Sequence, residues 1–251
     1  MSVAERKRRM WEEREQLILH EAHALLRQHG YLGLNLNDLA ARIDYAKGTI
    51  YQHFATKEDL IAGLIASRKG AFIDQIAKAA RYPGPSRHRF QAIGEVADRM
   101  AMTHGDLLGA QALIEQPSMW EKVSETWQQR LRDLPRRLAE GMGEVVRMAI
   151  AAGDLPAADP ALVADLVHGV SALQLGTETL ARQSGSDRDP AGQPWFGVGS
   201  MLRRNQHRLL DAVGWRPLSA DHDTVAVSVA IHAYFGWPHH VPAPAAVAAL
   251  T

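Results

Sequence analysis

The chain has 251 residues, no cysteine, and 28 basic against 28 acidic side chains. That length buries a proper core without staples, and the absence of cysteine excludes a disulfide framework, thiolate chemistry and cysteine-ligated zinc. Zero formal net charge excludes a uniformly basic nucleic-acid binder but leaves room for a local basic face.

Gly and Pro punctuate long stretches rich in Ala, Leu, Arg, Glu and Gln, the composition of an all-α protein. The first helix is predicted over 6–28, with Leu17, Ile18, Ala22, Leu25 and Leu26 on one face and Gly30 as a left-handed cap. Arg6, Lys7, Arg8 and Arg9 at its start read either as a solvated arm or as a minor-groove or phosphate contact. Asn35, three residues before Asp38, resembles a capping box and opens a short helix over 36–43 that buries Leu36, Leu39 and Ala40. A turn at Asp44-Tyr45 leads to a second short helix over 46–53. Thr56, followed by Asp59, opens a longer helix reaching residue 80.

Tyr82-Pro83-Gly84-Pro85-Ser86 reads as a linker and marks the expected domain boundary. Beyond it, helices are predicted over 87–103, 105–116 and 118–152, with Pro135 kinking or dividing the last. Gly153 and Pro156 end that segment, and Pro160 suits the first turn of a helix over 160–182. Residues 184–194 form a polar loop. Helices over 196–213 and 221–235 follow, although 225–231 fits a strand as well as a buried helix. The expected organisation is an arm, DNA-binding domain and connecting helix over 1–80, a larger helical domain over 87–237, and a loose tail over 238–251. No apolar run reaches the roughly 18 residues needed to span a bilayer, and no apolar segment follows the polar, basic residues 1–10. Neither membrane contact nor secretion is expected, and the cytoplasm is the expected compartment.

Three short helices with tight turns suggest a DNA-binding unit whose last helix must both anchor to a core and enter the major groove. Over 46–54, Ile50 and Phe54 stand four apart and can pack inward, leaving Lys47, Thr49, Gln52 and His53 to face or flank the groove. Gly48 lets the backbone approach phosphate, and Tyr51 can lie on the sugar–phosphate wall. Lys57 stands at a helix start, where free backbone N–H groups also favour phosphate.

The stretch Gly30-Tyr31, Asn35, Asp38-Leu39-Ala40, Lys47 to Phe54 (KGTIYQHF) and Lys57-Glu58-Asp59-Leu60 resembles the N-terminal module of TetR-type regulators over about residues 14–65. The resemblance implies a homodimer on a palindromic DNA operator, with C-terminal domains that pair and hold a small-molecule pocket. Carried to matching positions, it implies DNA contacts by Asn35, Lys47, Gly48, Thr49, Tyr51, His53 and Lys57. Gln52 is the candidate for base-edge readout, since an amide pairs bidentately with adenine. His53 instead caps or packs locally in the alternative reading. The sequence departs from the family pattern at Asp44, Tyr45 and Ala46; Asp44 tolerates a left-handed turn, while Ala46 removes a helix cap.

For the larger domain, Met100, His104, Trp120, Trp127, Met142, His168 and Gln174 are candidate contacts to a small hydrophobic or amphipathic effector, or ordinary core and surface residues. Leu162, Leu166, Gly169, Leu173 and Gly176 form a stripe for dimer packing or for an internal core. No metal or cofactor is expected: of the 12 histidines only His239-His240 are adjacent, in the tail. No nucleophile elbow, P-loop or dinucleotide fingerprint appears, so a regulator is expected rather than an enzyme. The alternatives are an interaction module that has lost sequence-specific DNA binding and, behind it, an all-helical enzyme.

Overall fold

Local signals at each helix end set the architecture. The computed structural model of the protein describes residues 2–156, 159–197 and 199–238. Ser2 opens α1 (Val3–Gly33) through a full capping box: its hydroxyl accepts from the Glu5 N–H at 3.2 Å, and its own N–H donates to the Glu5 carboxylate. The basic quartet therefore lies inside a helix that begins earlier than its periodicity suggested. Gly30 takes φ 65° and breaks the helical path, as its missing Cβ allows; one further turn runs to Gly33.

α2 (Leu36–Arg42) is capped by Asn35, whose side-chain oxygen accepts from the Asn37 N–H at 2.8 Å. Asp44 carries the turn at φ 53°. α3 (Lys47–His53) starts from Ala46 without a side-chain cap. The Thr56 hydroxyl accepts from the Asp59 N–H at 2.9 Å at the head of α4 (Lys57–Ala79). The helices expected on either side of His104 form one element, α5 (Ser86–Ile114), interrupted by non-helical torsions at His104. α6 (Pro117–Trp120) is a single turn, and α7 (Glu125–Ala152) passes undivided through Pro135. Proline removes one backbone donor there, and the helix continues past it.

α8 (Leu162–Ser184) begins just after Pro160 and ends on Gly185 in the left-handed region. The following loop is tied to itself: the Asp189 carboxylate accepts from the Ala191 and Gln193 N–H groups, and Arg188 donates to the Gly192 carbonyl. Ser200 caps α9 (Met201–Ala212), which is shorter than its pattern suggested. A 3-10 turn at Ser219–Asp221 precedes α10 (Thr224–Phe235), so the ambiguous 225–231 run is helix. Among the described residues there is no strand, only an isolated bridge between Arg188 and Pro194. The expected tail beyond Pro238, with His239-His240, lies outside the described residues.

The chain divides into two compact units. The first comprises residues 1–71 and 104–136; the second comprises 72–103 and 137–251. The stretch 104–136 belongs to the N-terminal unit although it follows the proline-rich linker. It brings Trp127, which stacks on Phe54 at 5.4 Å, and Ser124, whose N–H donates to the buried Asp59 carboxylate at 2.7 Å. The helix-turn-helix thus rests on a larger apolar base than its own three helices supply. In the second unit, Ile76, Phe90, Ile93, Val146, Val167 and Trp215 belong to a separate apolar core.

Candidate nucleic-acid interface

The site is built on α3, whose two faces have different partners. Ile50 and Phe54 are fully buried, beside Leu39 of α2 and Ile18 of α1 in the same core. Burying each such side chain stabilises by about 1.5–3 kcal/mol, which fixes the helix's rotation. Lys47, Gly48, Tyr51 and Gln52 are left exposed on the other face, with Thr49 half-buried between. The Lys47 ammonium stands 5.6 Å from the centre of the Tyr51 ring, so the cation and the phenol form one patch. A Cβ added at Gly48 would meet nothing within 4 Å: the backbone there is open to an incoming surface. Asn35 is also exposed while it caps α2.

Two further expected contact residues are less open to solvent. His53 is only 8 % exposed and stacks on Trp11 of α1, ring centres 3.7 Å apart, with the Glu15 carboxylate 4.0 Å away. Burial, reinforced by the Arg14 charge, pushes the His53 ring below the usual histidine range. Burial raises Glu15, and Arg130 at 3.7 Å partly offsets that rise. His53 therefore packs locally and locks the end of α3 against α1. Lys57 is half-buried, its ammonium 4.2 Å from the Tyr31 ring centre and 3.4 Å from the Leu32 carbonyl. Burial lowers its pKa against the opposing pull of Glu58. Tyr31 donates to Glu58 at 2.9 Å, and burial together with that carboxylate pushes the phenol up to about 12. Tyr31, Lys57 and Glu58 thus form a fixed corner at the head of α4.

The expected effector contacts are divided between the two units. His104, Trp120 and Trp127 belong to the first unit, whereas Met100, Met142, His168 and Gln174 belong to the second. Trp127 and Met142 are buried core residues. His104 stacks at 6.2 Å on His23, and the Arg132 guanidinium lies 5.4 Å from the Trp120 ring centre. His168 is exposed and bonds the Ala164 carbonyl at 2.8 Å, Gln174 donates to Glu178, and Met100 is half-buried on α5.

Sequence reasoning missed a polar interior in the second unit. Arg203 of α9 donates to Asp98 at 2.6 Å and to Gln206 at 2.8 Å, and lies 3.7 Å from Glu95; all four are buried. Burial alone would raise both carboxylates. For Glu95 the Arg203 charge, with His232 at 3.4 Å and the Ser228 hydroxyl, outweighs burial and holds it low; for Asp98 burial and the Glu95 charge win and raise it. Arg87, fully buried, donates to the Trp215 carbonyl, to Ser219 and to Asp211. A cavity of about 20 Å3 beside Gln91, Arg203, Gln206 and His207 leaves polar atoms of all four side chains without hydrogen-bond partners. That volume suits about one water molecule. A signal existed: Arg87, Gln91, Glu95 and Asp98 recur at helical spacing, a polar stripe where an apolar one would face the core.

An exposed basic and amide face on a helix anchored by its opposite side is the working part of a helix-turn-helix DNA-binding regulator. Residues 18–64 match the family described as "Bacterial regulatory proteins, tetR family". Over these residues the chain thus carries the DNA-binding module of TetR-family regulators. Its fold is similar to that of a TetR transcription regulator from Haloarcula marismortui ATCC 43049 (TM-score 0.63, 16 % identity, covering 80 % of this chain and 98 % of that one). It is also similar to a putative transcriptional regulator from Pseudomonas aeruginosa PAO1 (TM-score 0.61, 18 % identity, 84 % and 95 % covered). A third similar structure is SmeT, the repressor of the Stenotrophomonas maltophilia multidrug efflux pump SmeDEF (TM-score 0.54, 19 % identity, 84 % and 92 % covered). No curated protein matches the chain. Among the described residues, no helix is long and apolar enough to cross a membrane, and no group of three or more His, Cys, Asp or Glu side chains is placed to hold a metal ion.

Proposed function

We propose that the protein is a homodimeric repressor that sits on a palindromic operator through α3 and leaves it when a small molecule binds. The observation that carries the DNA-binding part is the exposed patch of Lys47, Gly48, Tyr51 and Gln52 on a helix fixed by buried Ile50 and Phe54. Lys47, Tyr51 and Thr49 hold phosphates; Gln52 reads a base edge, adenine being the partner its amide geometry favours. Two such helices meet successive major grooves about 34–36 Å apart. That SmeT is a repressor agrees with the mode of action proposed here.

Dimerisation is supported by α8. Leu166 of the expected stripe turns into its own core, but Ala164, His168, Ala172, Leu175, Gly176 and Leu180 remain exposed at helical spacing. Leu175 and Leu180 are more than half exposed, and a second copy of the same face would cover them. Leu175→Arg with Leu180→Arg is expected to give a monomer by sedimentation equilibrium; a variant that stays dimeric would move the interface elsewhere. The effector part rests on the second unit, where the cavity beside Gln206 and His207 offers unpartnered polar atoms and would have to widen to admit more than a water. A ligand that prefers the conformation with unsuitable helix spacing shifts the population off DNA.

The test is binding to DNA flanking the protein's own gene at several salt concentrations, beside a Lys47→Ala/Tyr51→Ala variant. Tight, salt-sensitive binding to a palindrome, lost in the variant, is expected. Failure on that DNA and in a genome-wide fragment selection would contradict the reading and favour an interaction module instead.

A further inference from the structure

α4 and α7 meet tightly at one end of their contact and part at the other. At Gly63 an added Cβ would fall 2.6 Å from the Phe54 ring and 3.2 Å from the Trp127 ring, so no side chain fits between the helices there. Trp127, Leu131 and Pro135 follow at spacings of four on one face of α7. Burial falls off along that face: Trp127 is buried, Leu131 half-buried and Pro135 exposed. Where the packing runs out, a cleft of about 230 Å3 opens within the first unit. Its walls are Ile65 of α4, Ile114 at the end of α5, Trp120 of α6, and Leu131 and Pro135 of α7. Ile65 and Ile114 belong to the apolar core of that unit, and Trp120 and Leu131 pack against it. Replacing water by hydrocarbon in such a hollow is favourable. Drug-sized sites occupy roughly 300–1,000 Å3, so this smaller cleft suits a single ring.

The rim of the cleft is charged. Lys69 and Arg132 stand on it against one carboxylate, Glu115, which already accepts from Gln111 at 2.7 Å. The rim therefore carries one positive charge in excess. Arg132 donates to the Gln128 side-chain oxygen at 2.9 Å, and its guanidinium lies 5.4 Å from the Trp120 ring centre, held over the aromatic wall. A guanidinium has five N–H groups, so donors remain for a carboxylate, which it takes in bidentate geometry. An inorganic anion brings no hydrocarbon to set against the walls, and a neutral ring leaves the excess charge unmet.

We propose that this cleft binds a small aromatic carboxylate, with its ring among Ile65, Ile114, Trp120 and Leu131 and its carboxylate on Arg132. The site lies in the unit that carries α3 and is a different one from the cavity beside Gln206 and His207, so it goes beyond the effector reading given above.

The experiment titrates benzoate, benzamide and acetate into the full-length, DNA-free protein by isothermal calorimetry. Benzoate is expected to bind at least about tenfold more tightly than benzamide, which keeps the ring and loses the charge, and than acetate, which keeps the charge and loses the ring. Arg132→Gln, at an exposed position, is expected to bring benzoate down to the benzamide level and to leave benzamide binding unaltered. Leu131→Trp, its helicity checked by circular dichroism, fills the cleft and is expected to abolish binding of both. Absence of benzoate binding by the wild type, equal affinity for benzoate and benzamide, or unchanged benzoate affinity in Arg132→Gln would overturn the proposal. So would unchanged benzoate affinity in a folded Leu131→Trp. Operator binding and its release are measured separately, so failure here leaves the reading of the protein as a regulator standing.

Discussion

The two units handle polar side chains in opposite ways. In the N-terminal unit only His53 and Asp59 are buried among the polar and charged residues described, and both join one helix to another. Its other polar chemistry faces outward on α3, where Lys47, Tyr51 and Gln52 are free to meet a ligand as large as a duplex. The second unit buries Arg87, Gln91, Glu95, Asp98, Arg203 and Gln206, and bonds them mainly to one another and to backbone. An exposed charge costs little to keep and is available for binding. A buried one is costly unless paired, and once paired it fixes which helices are neighbours. Substitutions should therefore separate cleanly, binding being lost in one unit and stability in the other.

The largest expected effect breaks the buried network. Arg203→Met leaves Glu95 and Asp98 facing each other without their cation, and should cost about 3–5 kcal/mol in urea unfolding. A loss below 1 kcal/mol would mean that the carboxylates are satisfied by other means. Gly94→Ala approaches the same network by volume: its Cβ would fall 1.9 Å from an Arg203 guanidinium nitrogen, so the arginine must move. A cost of about 1–3 kcal/mol is expected, smaller than for Arg203→Met because the charge remains.

His207 gives a pH-dependent version of the contrast. Burial and the neighbouring Arg203 and Arg87 charges push its pKa down to about 4. Unfolded, it takes up a proton near its ordinary value of about 6.5. Its contribution is therefore intact above that value and is lost as pH falls from about 6.5 to about 4. Wild type should lose about 1–3 kcal/mol more than His207→Gln over that window. Parallel stability–pH curves for the two proteins would contradict this placement of His207. The smallest effect lies at the other unit. Ala46→Ser would supply the missing side-chain cap of α3 and should stabilise by about 1 kcal/mol with operator contacts retained.

What was legible in the sequence follows the range of the interactions. Asn35 capping α2, Asp44 in a left-handed turn, and Ile50 with Phe54 facing inward all depend on residues a few positions apart, and the structure has each of them. The choice for His53 between groove and local packing depended on Trp11, 42 positions earlier on another helix, so its neighbourhood on α3 could not decide it. The Arg203–Asp98 pair joins residues 105 apart, and the polar stripe on α5 gains its meaning only beside α9. Apolar periodicity is easily found, whereas polar periodicity passes for a solvated face until its partner is known. The spread of the candidate effector contacts over two units has the same origin. Methionine and tryptophan mark apolar burial without saying which core they enter.

The most direct test of the central claim measures operator affinity and unfolding free energy on the same Lys47→Ala/Tyr51→Ala protein. Both side chains are exposed and on the open face of α3. Operator binding should fall to the nonspecific level with the unfolding free energy within about 0.5 kcal/mol of wild type. Wild-type affinity in that variant, or loss of binding only in step with loss of stability, would contradict the assignment of α3's exposed face to DNA.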